Sequence, residues 1–406
     1  MSNESPRIYN LSLLCAFTAN VFQLVSVSLL FRYADFVTNI GGDEWHLGWI
    51  VGISAVGAIL SRIIQGSAID RFGSEWVWYL CIACQITGIA WHLQIESANS
   101  VSVYLARILY ASGLAGTFGA WLSFVSLQAP AGRVAEVIGV VGSSGFVGMA
   151  CGPVLGDLIF QSGRSLTDNV NLMFQCSAFA VSVSLLFAIG ASRLGKSRHD
   201  ANSNAARSVN AKNPFRTIAS AKPGFVLVLG ALMGMTIGLP GTFLRPFAAS
   251  LEIDRINIFF VVYNVTAFTS RLIFRKAPQQ LGLKRTICLG YFLMMVSMIL
   301  YLNVNSYNAL IWPALVGGLA HCFLFPSIVA LCTEYFSTAN RGVATNLILA
   351  MYDFGSLVGM PLVGMILTQS RAWGLAPYGT TFICMAAIIG LTLSLYVIVD
   401  SRKESQ

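Results

Sequence analysis

Charge is what this sequence has least of. Only 10% of its 406 residues are Asp, Glu, Lys or Arg, where a soluble globular domain carries about 25%. A water-facing surface cannot be built from so few ions. Acidic residues number 17 and histidines four, and none fall at metal-ligand spacing. No HExxH helix, no GxSxG elbow and no phosphate loop is read, so the chain is not expected to be an enzyme or to hold a cofactor or metal. No loop is long enough for an added soluble domain; the longest, 193–220, has the length of a linker. The first apolar stretch is too long for a signal-peptide core and lacks its flanks, so no cleaved leader is expected.

What is present is apolar sequence, 56% of the chain, with mean hydropathy +0.70. About twenty apolar residues span a bilayer, so the chain has room for roughly a dozen spans. Backbone groups in lipid must bond to one another, which leaves helices or a closed barrel. Runs such as Phe225–Phe243 and Phe382–Val399 show no period-2 alternation, so helices are predicted. The twelve spans are placed at roughly 9–37, 44–68, 76–95, 100–126, 135–162, 170–192, 222–250, 256–276, 286–304, 307–335, 343–369 and 375–400. The nine cysteines lie in or beside these spans. Cys81 and Cys84 form a CxxC inside the third, where buried small residues are a simpler reading than redox chemistry.

The fold class is therefore all-α membrane protein, twelve helices in two six-helix bundles. The bundles are 1–193 and 221–406, joined by a basic, Ser/Asn/Ala-rich linker at 194–220. With both termini placed in the cytoplasm, seventeen Lys and Arg fall on the inner side and five on the outer, as the positive-inside rule requires. That asymmetry accounts for the net charge of +8 without a nucleic-acid partner. A bacterial inner membrane is the expected location. Arg62, Arg107 and Arg271 are the cations left inside spans.

The halves repeat each other. Ser61-Arg62-Ile63-Ile64 in the second span matches Ser270-Arg271-Leu272-Ile273 in the eighth, and in each half a glycine, Gly73 or Gly282, follows the arginine at the same spacing. At an offset of 208 residues Arg133 pairs with Arg341, Pro153 with Pro361 and Gly156 with Gly364. Duplicated bundles about a pseudo-two-fold axis are a transporter architecture.

Three motifs carry a resemblance to a family. The loop expected between the second and third spans reads Gly66-Ser67-Ala68-Ile69-Asp70-Arg71-Phe72-Gly73. It is similar to the G-x-L-A-D-R-x-G-R-R/K signature of the major facilitator superfamily, with Ser74-Glu75 replacing the basic pair. The fifth span holds Gly148-Met149-Ala150-Cys151-Gly152-Pro153-Val154-Leu155-Gly156, which resembles that family's antiporter motif, except that Asp157 stands where a second glycine is usual. Small residues at this spacing let helices approach closely, and Pro153 removes a backbone bond. Arg107, in Ala106-Arg107-Ile108-Leu109-Tyr110-Ala111-Ser112-Gly113 of the fourth span, is similar to an arginine tied in the family to proton transfer. Two further stretches, Gly318–Pro326 and Tyr352-Asp353-Phe354-Gly355, resemble the arabinose-efflux-like and small-metabolite exporter branch.

The resemblance implies a secondary transporter, and a proton antiporter exporting a small organic solute is the leading expectation. It implies a gate in which Asp70 sits at the N-terminus of the eleventh span, near Arg341, stabilised by free N–H groups and the helix dipole. Gly66, Arg71 and Gly73 belong to that gate. Gln279 replaces the Asp in the second half, so the second copy is expected to have lost the role. Proton coupling falls to Asp353, about eleven residues into its span and so near mid-membrane, with Arg107 and His321 as relay candidates. An arginine some 12 Å deep, like Arg107, needs a cavity or a partner, and a structural clamp is the other reading. Arg32 and Arg245, at equivalent outer positions of the first and seventh spans, are candidate substrate contacts together with Tyr352. They suit a carboxylate or phosphate, or they snorkel outward with Asp35 beside Arg32. Arg62 and Arg271 brace the gate or bind anions. Asp43, Glu44, His46 and Asp168 are read as ordinary helix-end residues. Partners are then a small-molecule substrate, protons and the bilayer, with a monomer as the family's usual state. Proton-coupled uptake of an organic anion and a transport-dead sensor on the same body are the alternatives.

Overall fold

A computed structural model describes residues 10–130, 133–206, 214–337 and 340–404. Among these no strand occurs. Twelve long helices follow one another in the order read from the apolar runs. In the first half α1 is Leu11–Leu29, carried on through a 3-10 turn at Leu30–Arg32 into Tyr33–Asn39. Then come α2, Glu44–Phe72, α3, Ser74–His92, and α4, Val101–Gln128. The fifth, α5, is Val134–Gly142 followed by Ser144–Phe160, and α6 is Leu166–Ala206. The second half holds α7, Val226–Ser250, α8, Asn257–Ile273, and α9, Leu283–Leu300. It closes with α10, Ile311–Glu334, α11, Arg341–Ala372, and α12, Pro377–Glu404.

Ten of the twelve are long and apolar enough to cross a membrane. The exceptions are α8, apolar but 17 residues long, and α3, whose Glu75, Trp76, Tyr79, Gln85 and His92 dilute its apolar character.

Three segments differ from expectation. The stretch Gly66–Phe72, read as a loop, continues α2 as helix. Only Gly73 turns, because Ser67-Ala68-Ile69-Asp70-Arg71 contains nothing that breaks a helix. In the second half Pro278 lacks a backbone N–H and crowds the turn before it, which disfavours a continuous helix there. There α8 stops at Ile273, and a separate short helix, Ala277–Leu281, carries the proline in its first turn. The linker is also more ordered than its composition suggests. Helix α6 runs on to Ala206 and a helix covers Pro214–Ala221, while 207–213 lies outside the described residues. Within α6, Gly190–Ser197 does spell G-x-x-x-x-G-K-S, a phosphate-loop pattern. It is uninterrupted helix, so its N–H groups point along the helix and cradle nothing.

The internal repeat is visible in the backbone. Gly73 has φ 86° and ψ 154°, and Gly282 has φ 85° and ψ 152°. Only glycine occupies that region without strain. A Cβ on Gly282 would touch nothing within 4 Å, so Gly282→Ala isolates the backbone cost. It is expected to destabilise the protein by about 1–3 kcal/mol and to lower the Tm in detergent. Gly342→Ala, also without neighbours but at ordinary φ, should leave the Tm unchanged or raised. Equal Tm values for the two variants would contradict the assignment.

Within the first half α1 packs on α5 and α6, and α3 on α4; across the halves α2 packs on α11 and α5 on α8. The motif glycines explain the α1–α5 contact. A Cβ at Gly148 would lie 2.5 Å from the Val21 carbonyl oxygen, and one at Gly152 would lie 2.7 Å from that of Val25. At Gly156 the Arg32 side chain passes at 3.5 Å. Pro153 lies within α5 without ending it. The end of the bundle where α6 leads into α7 is called the linker end below, and the opposite end the distal end.

Candidate functional site

Three levels of the molecule hold the candidate residues. At the linker end, Asp70, Arg71 and Arg341 are exposed. Arg71 lies over the Phe72 ring at 5.2 Å. The Asp70 carboxylate makes no hydrogen bond or ion pair among the described residues, so its contact with the start of α11 is not formed in this conformation. Gly66 is exposed as well, with open space where a side chain would be.

At mid-depth an ion pair joins the two halves. Arg62 Nε of α2 donates to Asp353 Oδ2 of α11 at 2.5 Å, with side-chain exposures of 10% and 13%. Tyr352 lies next to this pair, within electrostatic range of both groups. Asp353 is held on a fixed helix. Beside it α7 and α11 touch backbone to backbone, where Gly234 meets the Tyr352 carbonyl and Gly355 meets that of Ala231. A side chain at either glycine would force the helices apart.

The relay candidates lie elsewhere. Arg107 stacks between Tyr33, 4.1 Å from its ring centre, and Tyr110, at 4.8 Å. Its Nε and Nη1 are buried without a hydrogen-bond partner among the described residues. His92, which the sequence did not single out, shares this pocket. Its Nε2 is 3.0 Å from the Tyr33 hydroxyl and its Nδ1 is 2.6 Å from the Gly88 carbonyl oxygen. His321 Nδ1 lies 3.1 Å from the Tyr263 hydroxyl and within electrostatic range of Arg271. Arg271 rests over the Phe146 ring of the other half at 5.3 Å, and its Nε has no hydrogen-bond partner among the described residues. Neither Arg107 nor His321 bonds to Asp353.

The distal end is sealed by charge. Arg32 and Asp157 are 2% and 3% exposed. Arg32 donates to Asp157 at 2.9 Å, to Asp35 at 2.9 Å, and across the halves to the Asp254 carbonyl oxygen at 2.5 Å. Arg245 of α7 reaches Asp35 of α1 at 3.0 Å. Asp157 Oδ2 accepts from the backbone N–H groups of Ile256 and Asn257, each at 2.8 Å. It thereby caps the start of α8 from the other half, where free N–H groups and the helix dipole favour an anion. Phe31 stacks on Phe260 at 4.3 Å beneath these contacts.

Arg32 and Arg245, the expected substrate contacts, are thus both engaged in this seal. The departure Asp157, where the motif has glycine, supplies its central carboxylate. Glu44, read as an ordinary helix end, also belongs to the seal. It accepts from Arg371 at 2.7 Å and from the Tyr378 hydroxyl at 3.1 Å, both in the second half. Asp43 does cap α2, bonding the His46 N–H at 3.1 Å, and Asp168 bonds Ser165.

A sequence model of the Major Facilitator Superfamily matches residues 11–277 and 226–406. No curated relative matches the chain by sequence. Among solved structures, the nucleoside transporter NupG superposes with a TM-score of 0.78 at 14% identity, covering 96% of this chain and 99% of its own. The D-xylose–proton symporter gives 0.71 at 16%, with 94% and 96% covered. A bacterial homologue of the human lysosomal transporter Spinster, inward-facing and unoccupied, gives 0.72 at 13%, with 95% and 96% covered. At these identities the likeness is one of fold.

Proposed function

The chain belongs to the major facilitator superfamily, a membrane transporter family, and from that premise we propose that it is a proton-coupled secondary active transporter whose proton site is Asp353. The observation that carries this reading is the Arg62–Asp353 pair, the mid-depth ion pair between the halves. Protonating Asp353 neutralises the carboxylate and releases Arg62. The event therefore acts directly on a contact between the two bodies that must move in alternating access. A buried ion pair that loses one partner's charge is costly, by about 3–5 kcal/mol, which is enough to reset a conformational equilibrium.

The basic linker end is placed in the cytoplasm by the positive-inside rule. The conformation described above is then closed toward the outside. Its seal is Arg32, Asp35, Asp157, Arg245 and Glu44, and its cytoplasmic latch at Asp70 is undone. In the opposite conformation the seal parts and Asp70 caps α11 beside Arg341. Export by proton antiport is the favoured direction, supported by the glycine–proline stripe Gly148–Gly156 against α1 and by the resemblance to the efflux branch. The second reading is proton-coupled uptake of an organic anion, which Arg271, without an ion pair among the described residues, favours.

Inside-out vesicles with an acidified lumen and a pH-sensitive dye test the proposal. Organic anions, zwitterions, sugars and lipophilic cations are added in turn. Discharge of the gradient by one class, in vesicles with the protein and not in those without it, is the expected result. Movement of radiolabelled solute with no change in lumenal pH would refute proton antiport.

A further inference from the structure

The two halves treat their equivalent arginines differently. Arg62 and Arg271 occupy matching places in the repeats Ser61–Ile64 and Ser270–Ile273. Arg62 faces α11 and is paired with Asp353. Arg271 faces α5, and the position 208 residues before Asp353 is Gly145. The repeat keeps the next residue, Phe354 matching Phe146, and it is over Phe146 that the Arg271 guanidinium lies. On this side the carboxylate is missing. A Cβ built on Gly145 would meet one neighbour, Asn20 Nδ2, at 3.8 Å. Arg271 makes no ion pair among the described residues, and its Nε is buried without any hydrogen bond.

A guanidinium at membrane depth without a counter-charge is unfavourable, and arginines there face a cavity or a partner. The planar fork of Arg matches a carboxylate through two parallel bonds. We infer that the transported solute is a small organic carboxylate, which binds Arg271 in the space above Gly145 and supplies there the charge that Asp353 supplies to Arg62. Asn20, whose amide already reaches Ser144 Oγ at 2.7 Å, flanks the carboxylate. Phe146 and Phe268, whose ring centres lie 5.5 Å apart, give the ligand's remainder an aromatic wall, which favours an apolar or aromatic body over a sugar. This inference rests on the transporter reading and names its substrate class.

The test is thermal unfolding of the purified full chain in detergent, with and without sodium acetate, succinate or benzoate, and with benzamide as the uncharged match for benzoate. At least one carboxylate, with benzoate foremost, is expected to raise the wild-type Tm by about 2 °C or more, and benzamide is not. Arg271→Gln should lose the response. Arg271→Lys, which keeps charge but not the fork, should bind at least roughly tenfold more weakly. Gly145→Asp places the missing carboxylate in the protein and should also lose the response. Each comparison is made within one variant, so an altered basal Tm does not confuse it. No response to any carboxylate in wild type, or an undiminished response in Arg271→Gln or Gly145→Asp, overturns the inference. A carboxylate response that depends on Arg271, in a protein whose vesicles show no proton coupling, would keep this site and sink the coupling at Asp353.

Discussion

Asp353→Asn will abolish solute accumulation driven by a pH gradient while leaving solute–solute counterflow within a few-fold of wild type. Counterflow needs the loaded carrier to change conformation but needs no net proton movement. Gradient-driven flux needs a group that takes up and gives off a proton, and an amide cannot. The substitution also leaves Arg62 without its charge partner at a site only 10–13% exposed, where breaking a pair costs about 3–5 kcal/mol. Arg62→Gln should be impaired as well, for the opposite reason, since it strands the carboxylate. The double variant Arg62→Gln/Asp353→Asn should then unfold at a higher temperature than either single one, because no buried charge remains unpaired. Driven accumulation within threefold of wild type in Asp353→Asn would remove Asp353 from the coupling path.

Asp157→Ala should open the distal end. Only contacts made in one state shift an equilibrium, and the Asp157 contacts to the Ile256 and Asn257 N–H groups cross the halves. Its pairing with Arg32 lies within one half and survives opening. Hydrogen bonds to a charged group contribute about 1.5–3 kcal/mol each, so losing two shifts the closed-to-open ratio by roughly 100-fold or more. Asp157→Asn keeps an acceptor oxygen without the charge and should shift it less. Spin labels at Thr38 and Ser250, both exposed at the distal ends of α1 and α7, report the change. A longer-distance population is expected in the Ala variant, a smaller one in the Asn variant, and little of it in wild type. Identical distance distributions in all three would show that Asp157 does not hold the seal.

What the sequence makes legible follows from the bilayer. A span must be a long apolar helix, so the helices and their order can be read, and the matched spacing from Arg62 and Arg271 to Gly73 and Gly282 exposes the duplication. The α2 extension is not legible, because polar residues after Gly66 mark the end of the apolar run and not the end of the helix. Side-chain partners are the harder part. Asp353 stands out as a mid-span carboxylate, but Arg62 lies 291 residues away. In helices apolar nearly all round, sequence carries little signal of which face meets which neighbour. Asp157 was visible as a departure from a motif, yet its meaning needed the start of α8 beside it. Glu44 gave no signal at all, since helix ends are often acidic and its partners Arg371 and Tyr378 belong to the other half.

Two distances recorded on one protein test the alternation most directly. One is the distal pair Thr38 and Ser250. The other is a linker-end pair at Trp76 and Arg285, exposed near the starts of α3 and α9. Acidification of the labelled, otherwise wild-type protein should move the two distances in opposite directions, and Asp353→Asn should erase the pH response at both ends. Distances that change together, or a pH response that persists unaltered without the Asp353 carboxylate, would contradict alternating access coupled at Asp353.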